Sequence, residues 1–208
     1  MKPGPFISHL AAAARVEEKT LSVLARALRD ADILEKGPRG INAIEVDHVY
    51  LAKTLIGRMG TDKPARAVAA FGRFSAMQML SSGGHQFVKS QLPDPDHSLL
   101  DFMVEICKPT VDLTKGGEFE VRFVGSAAVD VVRDGEIFLM YGDSKGLEKR
   151  TAEMREAVQD KSGEKLRALM LSSFSDENSL HGIVETRSFT STWLQELKTV
   201  VLADRGGG

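Results

Sequence analysis

The chain has 208 residues, of which 42% are hydrophobic, and its 27 Lys and Arg against 29 Asp and Glu give a formal net charge of -2. It is long enough to bury a core in one large domain or two small ones, and its near-neutral charge excludes a strongly basic protein. One cysteine, Cys107, excludes an intrachain disulfide. With no run of about 18 apolar residues to span a bilayer, we expect a soluble cytoplasmic protein.

The charge is unevenly distributed along the chain. Residues 1–66 hold 11 Lys and Arg against 8 Asp and Glu, whereas the remaining residues hold 16 against 21. This contrast favours a mildly cationic binding region in the N-terminal part of the chain, followed by a part with net negative charge.

The first eighty residues are predicted to be almost wholly helical. Apolar spacing predicts helices over residues 6–15 and 17–33. Asp47 and Gly60 are predicted to cap a helix over "HVYLAKTLIGRM", and a further helix is predicted to begin after Asp62 and run through "ARAVAAFGRFSAMQML". Between the second and third helices, the turn in "ILEKGPRGINAI" predicts a small hairpin or extended loop with a basic tip.

The second half of the chain has the residue pattern that is typical of an antiparallel sheet. After a short helix in "HSLLDFMVEI", strands are predicted in "EFEVRFVG", "SAAVDVVR" and "EIFLMYGD", with Asp134-Gly135 as a hairpin turn. A polar segment over 145–165, two further strands over 166–174 and 181–190 and a terminal helix over 191–203 follow. Residues 83–96 are predicted to be a linker, which predicts a helical domain over 1–82 and an α+β domain over 97–208.

The stretch "FISHLAAAARVEEKTLSVLARAL" fits the packing of two short helices that cross over a tight turn. Leu10 and Ala11 supply the inner face of the first helix with Ala14 one turn on, Val16 closes the turn, and Leu21 and Leu24 give the second helix its buried side. The pattern resembles the helix-turn-helix superfamily of bacterial and phage transcription regulators, in which the second helix enters the DNA major groove.

The passage after the second helix extends this resemblance to winged-helix regulators. In "LARALRDADILEKGPRGINA", Lys36 and Arg39 flank Gly37 and Pro38 as in a basic wing tip. The turn position that usually holds glycine carries Arg15, which we expect to adopt a left-handed conformation at a cost of about 1 kcal/mol. The fold class implied is α+β, with an N-terminal winged helix-turn-helix domain followed by an antiparallel-sheet domain.

The resemblance implies a DNA-binding surface on the second helix and the wing. Residues in the N-terminal half of the helix would approach bases, Arg26 could reach a base or a phosphate, and Arg29 a phosphate. The predicted DNA-binding residues are Lys19, Thr20, Ser22, Val23, Arg26, Arg29, Lys36 and Arg39.

Catalytic, metal and cofactor chemistry is not predicted. The five histidines fall singly in different predicted elements, without HExxH spacing. Cys107 ends an apolar helical pattern, which favours a small buried side chain over a nucleophile. The apolar stripe of Trp193, Leu194, Leu197 and Val201 on the last helix could cover the sheet or form a dimer seam, and packing on the sheet is favoured.

These observations together predict a non-enzymatic, sequence-specific regulator of transcription, a repressor by expectation, that binds double-stranded DNA as a homodimer. Two alternatives remain open. One is a phage DNA-packaging recognition factor that resembles a small terminase subunit. The other is a protein-interaction adaptor that does not bind DNA, for which Glu17, Glu18 and the near-neutral charge are the best evidence.

Overall fold

A computed structural model describes residues 1–38, 44–82, 98–115, 117–125, 128–143 and 186–202. Within these ranges the chain forms six α-helices, one short 3-10 helix and a five-stranded antiparallel sheet, which confirms the α+β class. The helices are α1 (Pro3–Ala14), α2 (Glu18–Asp30), α3 (His48–Met59), the 3-10 helix (Pro64–Arg66), α4 (Ala67–Ser75), α5 (Leu99–Cys107) and α6 (Ser191–Leu202). The strands are β1 (Gln78–Ser82), β2 (Glu120–Val124), β3 (Ala128–Arg133), β4 (Glu136–Gly142) and β5 (Thr186–Thr190).

Side-chain caps fix two of the helix starts. The Asp47 carboxylate accepts a 2.7 Å hydrogen bond from the Tyr50 backbone N–H at the start of α3, which ends before Gly60 as predicted. Ser98 and Asp101 form a reciprocal capping box at the start of α5. Both caps satisfy backbone donors that a helix N-terminus otherwise leaves without partners.

The strand order in the sheet is β1-β4-β3-β2-β5. Strands β2, β3 and β4 form the predicted meander, and Asp134 and Gly135 connect β3 to β4 with φ of 51° and 83°. Positive φ at both residues is characteristic of a two-residue hairpin turn, so the predicted hairpin is confirmed.

One face of the sheet packs under the helices. Alternate strand residues are buried there, and Phe74 of α4 lies against Phe123 of β2 with ring centroids 5.1 Å apart. On α6, Leu194, Leu197 and Val201 are buried in the same core, which confirms that the stripe on this helix packs inward. Helices and sheet therefore share one continuous apolar core among the described residues.

The predicted helix through residue 80 is wrong over its last part. Helix α4 ends at Ser75, and residues 78–82 form β1, in which Met79 is paired with Tyr141 of β4. The edge of β4 that is not paired with β3 offers hydrogen-bond partners that a local apolar period cannot reveal, so tertiary pairing overrides helix propensity here.

The second helix is also shorter than predicted, because α2 ends at Asp30 rather than at residue 33. Asp32 adopts a left-handed conformation with φ of 57°, and the Ile33 N–H donates to the Leu28 carbonyl at 2.9 Å. This bond closes the helix in a Schellman motif. Between α2 and α3, residues 33–38 and 44–47 form neither helix nor strand, which agrees with the extended loop predicted in this part of the chain.

Several predictions fall outside the described residues: Arg39 of the predicted wing, the linker over 83–96, the polar segment over 145–165 and the strand over 166–174. Strand β1, from the predicted helical domain, pairs with β4 from the predicted second domain. The Trp193 Nε1–H of α6 donates to the Ala13 carbonyl of α1 at 3.1 Å. The division into two domains stays a prediction.

Candidate nucleic-acid interface

The turn between α1 and α2 is built on a left-handed arginine. Arg15 has φ of 52° and ψ of 44°, which confirms the left-handed conformation expected at this position. Its N–H donates to the Ala12 carbonyl at 3.3 Å, and the Val16 N–H donates to the Ala11 carbonyl at 3.0 Å. This Schellman motif ends α1 and redirects the chain, and Val16 packs against the core as predicted.

Helix α2 begins immediately after this turn. Glu17 is its extended N-cap residue, and the Glu17 carbonyl accepts from the N–H groups of Thr20 and Leu21 at 3.0 and 3.3 Å. Glu17 and Glu18 are exposed, and their carboxylates interact favourably with the positive end of the helix dipole. The two acidic residues therefore help to start the helix.

One side of α2 is fully buried. Leu21, Leu24, Ala25 and Leu28 are each at most 1% exposed and belong to the same core as Leu10 of α1. Helix α3 approaches closely at Gly57, where a Cβ atom would lie 2.9 Å from a Leu28 methyl group. This packing fixes the rotation of α2 about its axis and so determines which residues point outward.

The opposite side of α2 is exposed. Lys19, Ser22, Val23 and Arg26 all have exposed side chains, and Val23 keeps 46% of its surface accessible. Their spacing of three and four residues places them on neighbouring turns of the helix. The structure thus brings together four of the eight predicted DNA-binding residues on one accessible surface.

The cations on this surface form no ion pair with the residues that the structure describes. Lys19 and Arg26 form neither a salt bridge nor a side-chain hydrogen bond with any residue in the described ranges. The exposed acids Glu18 and Asp30 lie on the same helix, so the surface is mixed in charge rather than uniformly basic.

Thr20 and Arg29 are only half-buried, at the two flanks of the exposed side. The Tyr50 ring packs edge-on against Phe6, with ring centroids 5.8 Å apart. Burial raises the pKa of Tyr50, and the nearby Arg29 charge lowers it by less. Arg29 therefore lies where α2 meets α3, with part of its side chain still accessible.

Lys36 lies beyond α2 on the segment predicted to be a wing. Its Nζ is 2.6 Å from the Asp32 carboxylate, and both side chains are more than half exposed. An exposed pair of this kind contributes less than about 1 kcal/mol, so a phosphate could displace the carboxylate. The Lys53 Nζ also fastens this segment to α3 through a 2.9 Å bond to the Ile33 carbonyl.

Two exposed cations close to α2 lie outside the predicted set of DNA-binding residues. Lys63 immediately precedes the 3-10 helix that packs against α2, and Arg66 is the last residue of that helix. The sequence "TDKPARAV" shows a lysine before proline and an arginine just before the next helix, and this was the available signal for two exposed cations. Only the fold places them beside α2.

The ionisable groups in the core are engaged structurally. The Lys198 side chain of α6 is 2% exposed, and its Nζ donates to the Ile106 and Val111 carbonyls at 3.0 and 2.7 Å. Burial lowers the pKa of Lys198 and raises the pKa of the fully buried Cys107 to about 12. Cys107 is 0% exposed, which confirms it as a small buried side chain.

The described residues contain no group of three or more His, Cys, Asp or Glu that could hold a metal ion. None of the helices in the described ranges is long and apolar enough to cross a membrane. Comparison of the chain with protein-family models, with curated proteins and with solved structures found no match.

Proposed function

We propose that the protein is a sequence-specific double-stranded DNA-binding regulator of transcription, of bacterial or phage type, that acts in the cytoplasm as a homodimer. The observation that carries the proposal is the two-sided environment of α2. Its apolar side is locked into the core, while Lys19, Ser22, Val23 and Arg26 stand exposed on the other side. A helix held in this way after a tight turn is suited to lie in a major groove.

Each exposed side chain has a chemical role in this proposal. Arg26 can donate two hydrogen bonds to guanine, Ser22 can bond to several base edges, and the Val23 methyl groups can contact a thymine methyl. Lys19 is suited to a phosphate or a guanine. Thr20, being half-buried, has less surface to offer to a base.

The segment after α2 is the proposed wing. Lys36 and Arg39 would contact the phosphate backbone or the minor groove next to the site that α2 enters. Arg29, at the edge of α2, would contact a phosphate. These contacts would add affinity that does not depend on base sequence.

A dimer is part of the proposal because one small DNA-binding region makes few contacts with DNA. Two such regions, bound to half-sites about one helical turn apart, would give useful specificity. The α+β part of the chain, with its acidic balance, would supply the dimer contact.

The test begins with selection of bound sites from random duplex DNA, followed by titration of the selected duplex. We expect R26A to weaken binding by about fivefold to 150-fold, which corresponds to the loss of one bidentate base contact. The melting temperature should stay unchanged, because the Arg26 side chain is exposed. K115A is a matched control, since Lys115 is an exposed lysine on the loop before β2 and its loss should leave binding as in the parent.

R39A is expected to weaken binding in the same assay, without a change in melting temperature. If R26A and R39A both bind the selected duplex as the parent does, the assigned surface is wrong. If the parent selects no duplex and binds none at low salt, the regulator proposal fails.

The protein-interaction adaptor remains the second candidate because of one feature of the same surface. Val23 is 46% exposed, with the acids Glu18 and Asp30 on the same helix. An apolar side chain near acids could dock against a protein. This function is favoured if the parent binds no DNA but binds a protein partner, and if V23D abolishes the binding of that partner.

A further inference from the structure

We infer that Lys63 and Arg66 form a further DNA contact, to the phosphates that border the groove entered by α2. This inference rests on the proposed function and adds to α2 and the proposed wing a third element that holds the duplex. We refer to residues 61–66 as the basic turn. It contains two exposed cations and one acid, Asp62.

The position of the basic turn is the first argument. Its 3-10 helix packs directly against α2, and the next helix, α4, also contacts α2. When a helix lies in the major groove, the phosphate backbones run along both sides of it. An element packed beside that helix is therefore close to a backbone, as the first helix of a helix-turn-helix is.

The charges of the basic turn are the second argument. The Asp62 carboxylate lies 3.6 Å from Nη2 of Arg187, a mostly buried arginine of β5. This pairing offsets the only negative charge in the turn. Lys63 and Arg66 form no salt bridge or side-chain hydrogen bond with any other residue that the structure describes.

Three other described lysines pair with a nearby carboxylate, whereas Lys63, like Lys19, does not. Lys36, Lys108 and Lys115 each lie within 3.6 Å of a carboxylate three or four residues away in the chain. Lys63 follows an acid as well, but that acid is paired with Arg187 instead. The turn thus presents an accessible positive charge that its own sequence neighbours leave uncompensated.

The rigidity of the basic turn is the third argument. Thr61 is 7% exposed, its Oγ1 accepts from the Lys63 N–H at 3.1 Å, and its carbonyl accepts from Nη1 of Arg58 at 3.4 Å. Pro64 restricts φ, and the Arg66 N–H donates to the Lys63 carbonyl at 2.8 Å. A backbone already fixed in place loses little entropy when its side chains bind phosphate.

The phosphate role predicts a specific effect of salt. Each cation that neutralises a phosphate contributes about 0.9 to the slope of log K against log salt concentration. We therefore expect K63Q and R66Q each to lower that slope by about 0.9, and the double variant by about 1.8. Affinity for the selected duplex and for a duplex with one changed base pair should fall by the same factor, because phosphates carry no sequence information.

The experiment is a fluorescence-anisotropy titration of the full chain with the selected duplex at several salt concentrations. K115Q removes a lysine charge elsewhere and should leave the slope as in the parent. Circular dichroism melts should show transitions within about 2 °C of the parent, because both replaced side chains are exposed. Such melts exclude unfolding as the cause of weaker binding.

Two results would separate the failure of this inference from that of the proposed function. If the parent binds the selected duplex and R26A weakens it, but the double variant keeps the parental salt slope, the basic turn does not contact DNA. If the parent binds no duplex even at low salt, the proposed function fails and this inference fails with it. A fall in slope combined with altered base preference would also overturn the phosphate assignment, since it would indicate a contact to bases.

Discussion

Helices α2 and α6 place their lysines in opposite environments. On α2, Lys19 is exposed and pairs with none of the described residues, whereas Lys198 on α6 is 2% exposed and donates to two backbone carbonyls. One of those carbonyls, that of Ile106, lies in the last turn of α5, where the helix dipole favours a cation. A buried cation with partners holds elements together, and an exposed cation without partners is available to a ligand.

The largest expected effect comes from exchanging these two lysines for methionine. K198M should lower the free energy of unfolding by about 3 kcal/mol, because the buried Ile106 and Val111 carbonyls lose their donor. K19M should change it by less than about 0.5 kcal/mol but weaken binding to the selected duplex. Urea denaturation and anisotropy titration measure the two quantities. Equal stability of the two variants would remove the contrast between the helices.

A second test uses the titration of Cys107 beside Lys198. Because burial raises the thiol pKa to about 12, the folded chain keeps this proton when the unfolded chain has lost it. The contribution of the Cys107 proton to the free energy of unfolding is fully present below about pH 9. It is lost as the pH rises toward 12, by up to about 1.4 kcal/mol per pH unit.

The C107A variant isolates this effect, since it removes the only thiol in the chain. Urea unfolding between pH 8 and pH 11 should show a shallower alkaline loss of stability in C107A than in the parent. The native parent should also resist thiol reagents at pH 8 and react after unfolding. Rapid labelling of the folded protein would contradict the burial of Cys107.

A smaller effect is expected where α6 meets α1. W193F removes the hydrogen bond from Nε1 to the Ala13 carbonyl and should cost about 1 kcal/mol of stability. V200A, on an exposed position of the same helix, should cost less than about 0.5 kcal/mol. Neither variant alters the exposed side of α2, so both should bind DNA as the parent does once folded. A selective loss of DNA affinity in W193F would break the separation between a structural α6 and a binding α2.

The smallest expected effect concerns the turn before α2. R15G should raise the free energy of unfolding by about 0.5 to 1 kcal/mol, because glycine adopts the left-handed conformation without strain. A12G places glycine on the exposed side of α1 instead and should lower it by about 1 kcal/mol. Thermal melts measure both changes. If R15G and A12G change the free energy of unfolding in the same direction, the left-handed conformation of Arg15 is contradicted.

Much of the candidate site could be predicted from local sequence. Helical spacing predicted Lys19, Ser22, Arg26 and Arg29 as the outward residues of α2, with Val23 adjacent. The structure exposes all of these except Arg29. The half-burial of Arg29 could not be predicted, because it depends on where α3 brings Tyr50. The cations of the basic turn were missed for the same reason, since their proximity to α2 is a property of packing.

Local sequence by itself determined the helix starts and ends at Asp47 and Gly60, the Asp134-Gly135 hairpin and the meander. These features follow from backbone preferences and apolar periods that act over a few residues. Only the tertiary structure decided that residues 78–82 form a strand, that Lys198 is buried with two acceptors, and that the basic turn adjoins α2. Each of these depends on hydrogen-bond partners or packing surfaces far away in the chain, which local preferences do not encode.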